Sequence, residues 1–108
     1  MTKNKGLFIT FEGPEGGGKT TQIHLLSQFI GQQGRDVVVT REPGGTSIGI
    51  SIRNILLDPT FEQIDRRTEL LLFLADRAQH VHEVILPSLS AGNVVLCDRF
   101  IDSTVAYQ

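Results

Sequence analysis

At 108 residues, the chain has the length of one domain that can bury a hydrophobic core, and the same length also fits a piece of a longer protein. Hydrophobic residues make up 40% of the chain and charged residues 20%, a composition that excludes wholesale disorder and a fibrous repeat. The net charge is -2 with neutral histidines, and the ten lysines and arginines form no basic run, so a nucleic-acid partner is not expected.

The sequence predicts neither a membrane segment nor an export signal. Thr10 interrupts the apolar string near the N-terminus, which is too short for a signal peptide, and no stretch approaches the roughly 18 apolar residues of a membrane span. The single cysteine, Cys97, can form no internal disulfide, and its apolar neighbours predict a buried side chain. By elimination, we expect a soluble cytoplasmic domain with no membrane partner.

The first part of the chain predicts a strand followed by a helix. The short apolar run LFITF, residues 7–11, ends at Gly13 and Pro14 and predicts a buried strand. Apolar residues then recur at helical spacing over residues 20–30, and Gly31 is placed to end the helix. The helix therefore begins inside a run of glycines.

A second strand and helix follow. The β-branched run DVVVT, residues 36–40, predicts the strand. The turn residues REPGG separate it from a helical pattern over residues 48–56, which Pro59 ends.

A long helix and a third strand complete the pattern. The helical spacing covers residues 65–91, with a kink or division at Pro87 and a stop at Gly92, and NVVLC, residues 93–97, predicts the strand. This alternation predicts an α/β domain whose parallel sheet has flanking helices and right-handed crossovers. Such sheets bind ligands beyond the carboxyl ends of their strands.

The glycine run between the first strand and helix predicts a phosphate-binding loop. Residues 13–20, GPEGGGKT, match G-x-x-x-x-G-K-[ST] in the strand-to-helix context that this motif requires, which makes an ordinary glycine-rich turn the weaker alternative. Backbone N–H groups would surround the β-phosphate, Lys19 would reach the β- and γ-oxygens, and the Thr20 hydroxyl would hold Mg²⁺.

Charged residues near the strand ends predict further contacts with phosphate and metal. Asp98 follows an apolar strand and predicts a second metal-site carboxylate, acting through water, although an aspartate at a turn is common. Arg99 is next to it and can neutralise the same phosphates. Arg53 lies on the helix that follows the second strand and points in from another side. For Arg53, a solvated surface arginine remains an open alternative.

The third helical segment has a face that is suited to binding a base. Glu69, Phe73 and Arg77 lie on one helix face, where Phe73 can stack on a planar base and Arg77 can donate to its carbonyl edge. A core phenylalanine beside a surface Glu–Arg network is an equal alternative. His80 and His82 face different ways, so we expect solvated histidines and no shared metal site.

Five motifs occur in an order and spacing that match one family: FEGPEGGGKTTQ, TREPGGTSIG, IRNILLD, LLFLADRAQH and CDRFIDSTVAYQ. They extend through essentially the whole chain, which resembles the N-terminal half of the bacterial thymidylate kinases. The resemblance implies a P-loop NTPase fold of the nucleoside-monophosphate-kinase type, of which only the first three strands are present. It also implies transfer of the γ-phosphoryl group of ATP to dTMP, a requirement for Mg²⁺, and a homodimer in the full-length protein.

The resemblance assigns roles to individual residues. It implies ATP binding by Gly13, Pro14, Glu15, Gly16, Gly17, Gly18, Lys19, Thr20 and Thr21, and a metal site at Thr20 and Asp98. The implied dTMP-binding residues are Glu15, Glu42, Pro43, Arg53, Phe73, Arg77, Arg99, Ser103, Thr104, Tyr107 and Gln108. Lys19, Asp98 and Arg99 would carry the catalysis by charge neutralisation and positioning, without a covalent nucleophile.

The chain departs from the family at a few positions and at its end. Gly16 stands where some relatives have a loop arginine, so we expect catalytic arginines in a lid beyond Gln108; Ile50 and Phe100 are also variant positions, with mild effects expected. Family members are roughly twice this length. We therefore expect residues 1–108 to be the N-terminal part of a single kinase domain, inactive in isolation, with the first strand at a sheet edge.

Other functions remain as alternatives. Another P-loop nucleoside or nucleotide kinase, or a fragment that only binds nucleotide, would share the phosphate-binding loop. A GTPase is disfavoured because the sequence lacks D-x-x-G after that loop.

Overall fold

The computed structural model describes residues 5–13 and 18–99, which form an α/β arrangement of three strands and flanking helices. The elements in chain order are β1 (Leu7–Glu12), α1 (Lys19–Gln32), β2 (Val37–Glu42), α2 (Ser47–Leu57), α3 (Arg66–His80), a π-helical turn (Val81–Ile85), α4 (Leu86–Ser90) and β3 (Val94–Arg99). The predicted order of strands and helices is confirmed.

The sheet is parallel, and β3 lies in its centre between β1 and β2. As expected, β1 is at an edge of this three-stranded sheet. The register aligns the last residues of all strands, because Arg99 of β3 is level with both Glu12 of β1 and Glu42 of β2. Each strand extends beyond its apolar run to include these charged residues.

The central strand is buried on both faces, as its apolar sequence predicts. On one face, Val94 and Leu96 pack with Ile23 of α1, and partly buried apolar side chains surround them: Ile9, Phe11, Leu26, Ile30 and Val37. On the other face, Val95 and Cys97 are also fully buried, which confirms the prediction for the cysteine. Helix α3 contacts β2, and helix α4 contacts β3.

The end of α1 differs from the sequence prediction. Gly31 lies inside the helix, which continues to Gln32. The residue with left-handed backbone is Gly34, with φ 83°, where the chain turns toward β2. Gly31 is thus accommodated within the helix, and the glycine that the turn requires lies later in the chain.

The other helix boundaries follow local chemistry. Thr46 caps α2 by accepting a hydrogen bond of 2.8 Å from the Gly49 N–H, and the helix ends before Pro59. The long helical pattern is divided near Pro87, as predicted. A π-helical bond from the Leu86 N–H to the Val81 carbonyl immediately precedes this proline, which lies in the first turn of α4.

Among the described residues, no helix has both the length and the apolar character needed to span a bilayer.

The close contact of Gly6 with Leu89 leads to a stability prediction. A Cβ at Gly6 would lie 2.5 Å from the Leu89 carbonyl oxygen and 2.7 Å from its Cα, so Gly6→Ala should lower the free energy of unfolding by about 1–3 kcal/mol. In the matched control Gly31→Ala, the added methyl has no neighbour within 4 Å and improves helix propensity, which should raise stability by about 0.5–1 kcal/mol. Urea denaturation of the full-length protein measures both. Effects of the same sign would contradict this packing.

Candidate functional site

The start of α1 is joined to the ends of two strands by Lys19. Its Nζ donates to the Gly13 carbonyl oxygen at 2.7 Å and to that of Arg99 at 3.4 Å, and forms a 2.6 Å ion pair with Asp98 Oδ1. Gly18, just before the helix, has φ 83°, which a side chain would disfavour. The strand-to-helix context of the glycine run is therefore confirmed, and its lysine is buried at the strand ends rather than extended into solvent.

The central residues of the glycine run lie outside the described residues. They are Pro14, Glu15, Gly16 and Gly17. Their roles in binding ATP and the acceptor sugar stay predictions. Thr21 is described and lies exposed in the first turn of α1.

A cavity of about 670 Å³ lies beside α1, at the carboxyl ends of β2 and β3. Its lining residues are Thr20, Ile23, Val39, Thr40, Arg41, Gly44, Gly45 and Asp98. The two predicted metal ligands, Thr20 and Asp98, therefore face one space. Arg41 lines the same cavity. No role was predicted for it from the sequence, although its position at the end of a strand could have indicated that it belongs to the site.

On the opposite face of the sheet, Glu42 is the centre of a charged network. Its Oε1 accepts a 3.0 Å hydrogen bond from Arg77 Nε and lies 3.7 Å from Arg99 Nε, and its Oε2 lies 2.8 Å from His80 Nδ1. Burial alone would raise the pKa of Glu42. The hydrogen bond from His80 and the charges of Arg77 and Arg99 together hold that pKa below its ordinary value of 4.5.

His80 corrects a sequence prediction, because it is fully buried and not solvated. Its Nε2 lies 2.6 Å from Thr40 Oγ1, so both ring nitrogens have partners on β2. His82 is exposed, as predicted. The spacing of His80, four residues after Asp76 and three after Arg77, places it one helical turn beyond both but does not indicate its polar partners on β2.

The ligand atoms of Glu42, His80 and Cys97 lie within 4.8 Å of one another, a separation that fits a metal ion. The chemistry does not favour one. Both imidazole nitrogens already form hydrogen bonds, and two guanidinium groups flank the carboxylate. Burial raises the pKa of the Cys97 thiol to about 11, which opposes the thiolate that a metal would require. The group therefore fits a hydrogen-bonded core better than a metal site.

Asp76 attaches α3 to the turn that follows β2. Its Oδ1 accepts a 3.0 Å hydrogen bond from the Gly44 N–H, and burial raises the pKa of this carboxyl group. The turn and the start of α2 both approach α3 closely: a Cβ at Gly45 in the turn would lie 2.7 Å from the His80 ring, and one at Gly49 in α2 would collide with Asp76 Oδ1. Glycine at both positions allows this approach.

Arg99 lies between two carboxylates without a close contact to either. Its guanidinium is 3.8 Å from Glu12 Oε1 and 3.7 Å from Glu42 Oε1, and it sits over the Phe8 ring at 5.6 Å from the centroid. Within the described residues, its buried Nε has no hydrogen-bond partner. The side chain is thus held in place electrostatically while donor capacity remains.

Three further predicted acceptor residues lie in the described part of the chain. Pro43 is buried after a cis peptide bond to Glu42. Arg53 is half-buried on α2, and a Cβ at Gly44 would lie 2.9 Å from its Cδ. Phe73 is half-buried, one helical turn before Arg77 on α3. The remaining predicted residues, Ser103, Thr104, Tyr107 and Gln108, lie outside the described part of the chain.

Comparison with known proteins identifies one family. The family model described as thymidylate kinase matches residues 11–108. The chain is 57% identical to the thymidylate kinase of Exiguobacterium sibiricum over 103 residues, covering 95% of this chain and 49% of the relative. It is 61% identical to that of Pelobacter propionicus over 103 residues, covering 95% and 47%. The chain therefore spans about half the length of the curated relatives it matches.

A solved structure shows the same fold. The crystal structure of thymidylate kinase from Ehrlichia chaffeensis superposes with a TM-score of 0.82 at 48% identity, covering 95% of this chain and 59% of the other. The predicted P-loop NTPase fold, with the first strands of its parallel sheet, is confirmed.

The depressed pKa of Glu42 leads to a prediction about acid stability. Because the folded-state pKa lies below the unfolded value of 4.5, the stability contributed by this carboxylate is present above that value and is lost as the pH falls through the folded pKa. Glu42→Gln removes the titrating group and should flatten the acid limb of a plot of Tm against pH. The exposed Glu62→Gln is the control and should keep the wild-type acid limb. An acid limb unchanged by Glu42→Gln would refute the assignment.

Proposed function

The chain belongs to the thymidylate kinase family, and on that premise we propose that the full-length protein transfers the γ-phosphoryl group of ATP to dTMP, giving dTDP. The observation that carries the proposal is the position of Lys19, at the start of the helix after the glycine run and 2.6 Å from the carboxylate of Asp98. This arrangement supports phosphoryl transfer, in which charge neutralisation and alignment supply most of the catalysis.

In the proposed mechanism, Lys19 binds the donor phosphates. An ammonium group has three N–H donors, and here they are directed to Asp98 and to carbonyl oxygens at the strand ends. This anchoring holds the positive charge where the β- and γ-phosphates would lie against the helix N-terminus. Lys19 can turn a donor toward a phosphate oxygen while the strand ends limit its other movements.

Thr20 and Asp98 would hold the Mg²⁺ ion. They share the lining of one cavity, and a hydroxyl and a carboxylate provide the oxygen donors that Mg²⁺ prefers, with water completing its coordination. When bound, the ion neutralises charge on the β- and γ-phosphate oxygens. Asp98 also keeps Lys19 in place, so one carboxylate serves both positive charges on the donor side.

The acceptor would bind on the side of the network centred on Glu42. Arg99 has a partly exposed side chain that lies no closer than 3.7 Å to Glu12 or Glu42, which suits contact with the dTMP phosphate. Arg53 lies beside the same turn as Pro43 and would contribute a second guanidinium. Phe73 would stack on thymine and Arg77 would donate to its carbonyl edge. Glu15, Ser103, Thr104, Tyr107 and Gln108 complete the proposed acceptor set.

Family membership also supports proposals about the whole protein. We propose that residues 1–108 are the N-terminal part of one kinase domain, whose lid and remaining strands follow Gln108. The isolated segment would then be inactive. The full-length protein would be a cytoplasmic homodimer.

Acceptor specificity tests the proposed function. With ATP and Mg²⁺, the full-length protein should phosphorylate dTMP with a kcat/KM at least about tenfold above that for dUMP, since the two acceptors differ by one methyl group. dCMP and thymidine should be poorer acceptors because they lack the thymine carbonyl pattern and the acceptor phosphate respectively. A coupled assay for ADP release measures all four. Equal use of dTMP and dCMP, or a preference for thymidine, would identify a different P-loop kinase.

Substitution of Lys19 tests the donor side. Lys19→Ala should lower kcat by about 10²–10³-fold, since it removes a preorganised positive charge from the transferring phosphoryl group. Lys5→Ala, which changes an exposed lysine before β1, is the control and should retain wild-type turnover. Near-normal turnover by Lys19→Ala, with Tm values confirming folded protein, would contradict the proposed role.

A further inference from the structure

We propose that His80 is a positioning residue for the acceptor side of the site: it holds Glu42 so that this carboxylate fixes the guanidinium groups of Arg77 and Arg99. The inference rests on the proposed function, because it assigns those arginines to the acceptor. It begins from a fully buried histidine whose two ring nitrogens both contact β2.

The direction of the hydrogen bond to Glu42 follows from the groups involved. The ionised carboxylate of Glu42 can only accept, so His80 Nδ1 carries the hydrogen and donates to Oε2 across 2.8 Å. His80 Nε2 lies 2.6 Å from Thr40 Oγ1, a hydroxyl that can either donate or accept. The bond to Glu42 therefore requires a hydrogen on Nδ1, and the contact with Thr40 holds the other edge of the ring.

The two carboxylate oxygens of Glu42 contact different partners. Oε2 faces His80, and Oε1 faces Arg77 at 3.0 Å and Arg99 at 3.7 Å. Since the two oxygens belong to one planar group, the bond to His80 sets the rotation of the carboxylate. That rotation in turn sets where Oε1 meets the guanidinium groups. His80 therefore acts on the arginines through Glu42.

The surrounding packing is fitted to this histidine. Gly45 lies in the turn after β2, and a Cβ there would lie 2.7 Å from His80 Cδ2 and Nε2. Asp76, one helical turn earlier on α3, binds the Gly44 N–H at 3.0 Å and keeps the turn against the helix. The ring is thus enclosed on the side away from Glu42, which leaves it little freedom to move without breaking its bonds to β2.

Kinetics of the full-length protein test the inference. His80→Leu removes both hydrogen bonds and should raise the KM for dTMP about tenfold and lower kcat, with the KM for ATP within about twofold of wild type. His80→Asn places an amide nitrogen where Nδ1 lies and should restore the KM for dTMP to within about threefold. His82→Leu, at an exposed histidine nearby, is the matched control and should behave as wild type.

The alternative is a purely structural role, which would lower Tm and the fraction of active enzyme without changing either KM. An unchanged KM for dTMP in His80→Leu, an equal change in both KM values, or an asparagine variant no better than the leucine variant would overturn the inference. A wild type that does not phosphorylate dTMP would overturn the proposed function and this inference with it. An active wild type with unaffected variants would overturn the inference alone.

A spectroscopic measurement applies even where His80→Leu does not fold. Long-range ¹H–¹⁵N correlation spectra of full-length protein labelled at histidine should show the His80 hydrogen on Nδ1. In Thr40→Val, the Nε2 resonance should shift because its hydrogen-bond partner is lost. A His80 hydrogen found on Nε2 alone would overturn the inference, since Nδ1 could then not donate to Glu42.

Discussion

The parallel register of the three strands determines which charged side chains can meet. Because equivalent residues of β1, β3 and β2 are level, the charged residues that end these strands form rows across the sheet. Successive side chains of a strand point to opposite faces. Asp98 therefore faces α1 and Lys19, while Arg99, its neighbour in sequence, faces α3 and Glu42. The pleat of one strand separates the donor side of the proposed site from the acceptor side.

The two sides are stabilised in different ways. On the donor side, Lys19 is held by a carboxylate and by backbone carbonyl oxygens, so its position depends on where two strands end. On the acceptor side, α3 contributes Arg77 and His80, which hold the end of β2 at Glu42, and Asp76, which holds the turn after it. The first arrangement depends on the backbone and the second on buried side-chain hydrogen bonds, which fix an orientation only when every member has its partner.

Apolar periodicity and turn residues were sufficient to predict the order of strands and helices, because each strand is a β-branched or aromatic run and each helix has a regular apolar spacing. The strand ends were less predictable. Glu42 and Asp98 have low strand propensity, and only pairing with neighbouring strands includes them in the sheet. The solvated position predicted for His80 was wrong because spacing along one helix does not show that β2 carries polar partners for it. Gly31 was predicted to end α1, but a glycine in a helix is tolerated at modest cost.

The close approach of α3 to the first turn of α2 links side-chain volumes at distant positions of the sequence. Residue 49 has no room for a side chain while residue 76 is a carboxylate turned toward it. Residue 45 is different, because a Cβ there would meet the backbone carbonyl oxygen of Arg41 as well as the His80 ring, so glycine is needed whatever residue 80 is. A larger residue at position 49 would require a smaller partner on α3. Positions 49 and 76 should therefore vary together among relatives, so that this buried carboxylate can be traced from sequences alone.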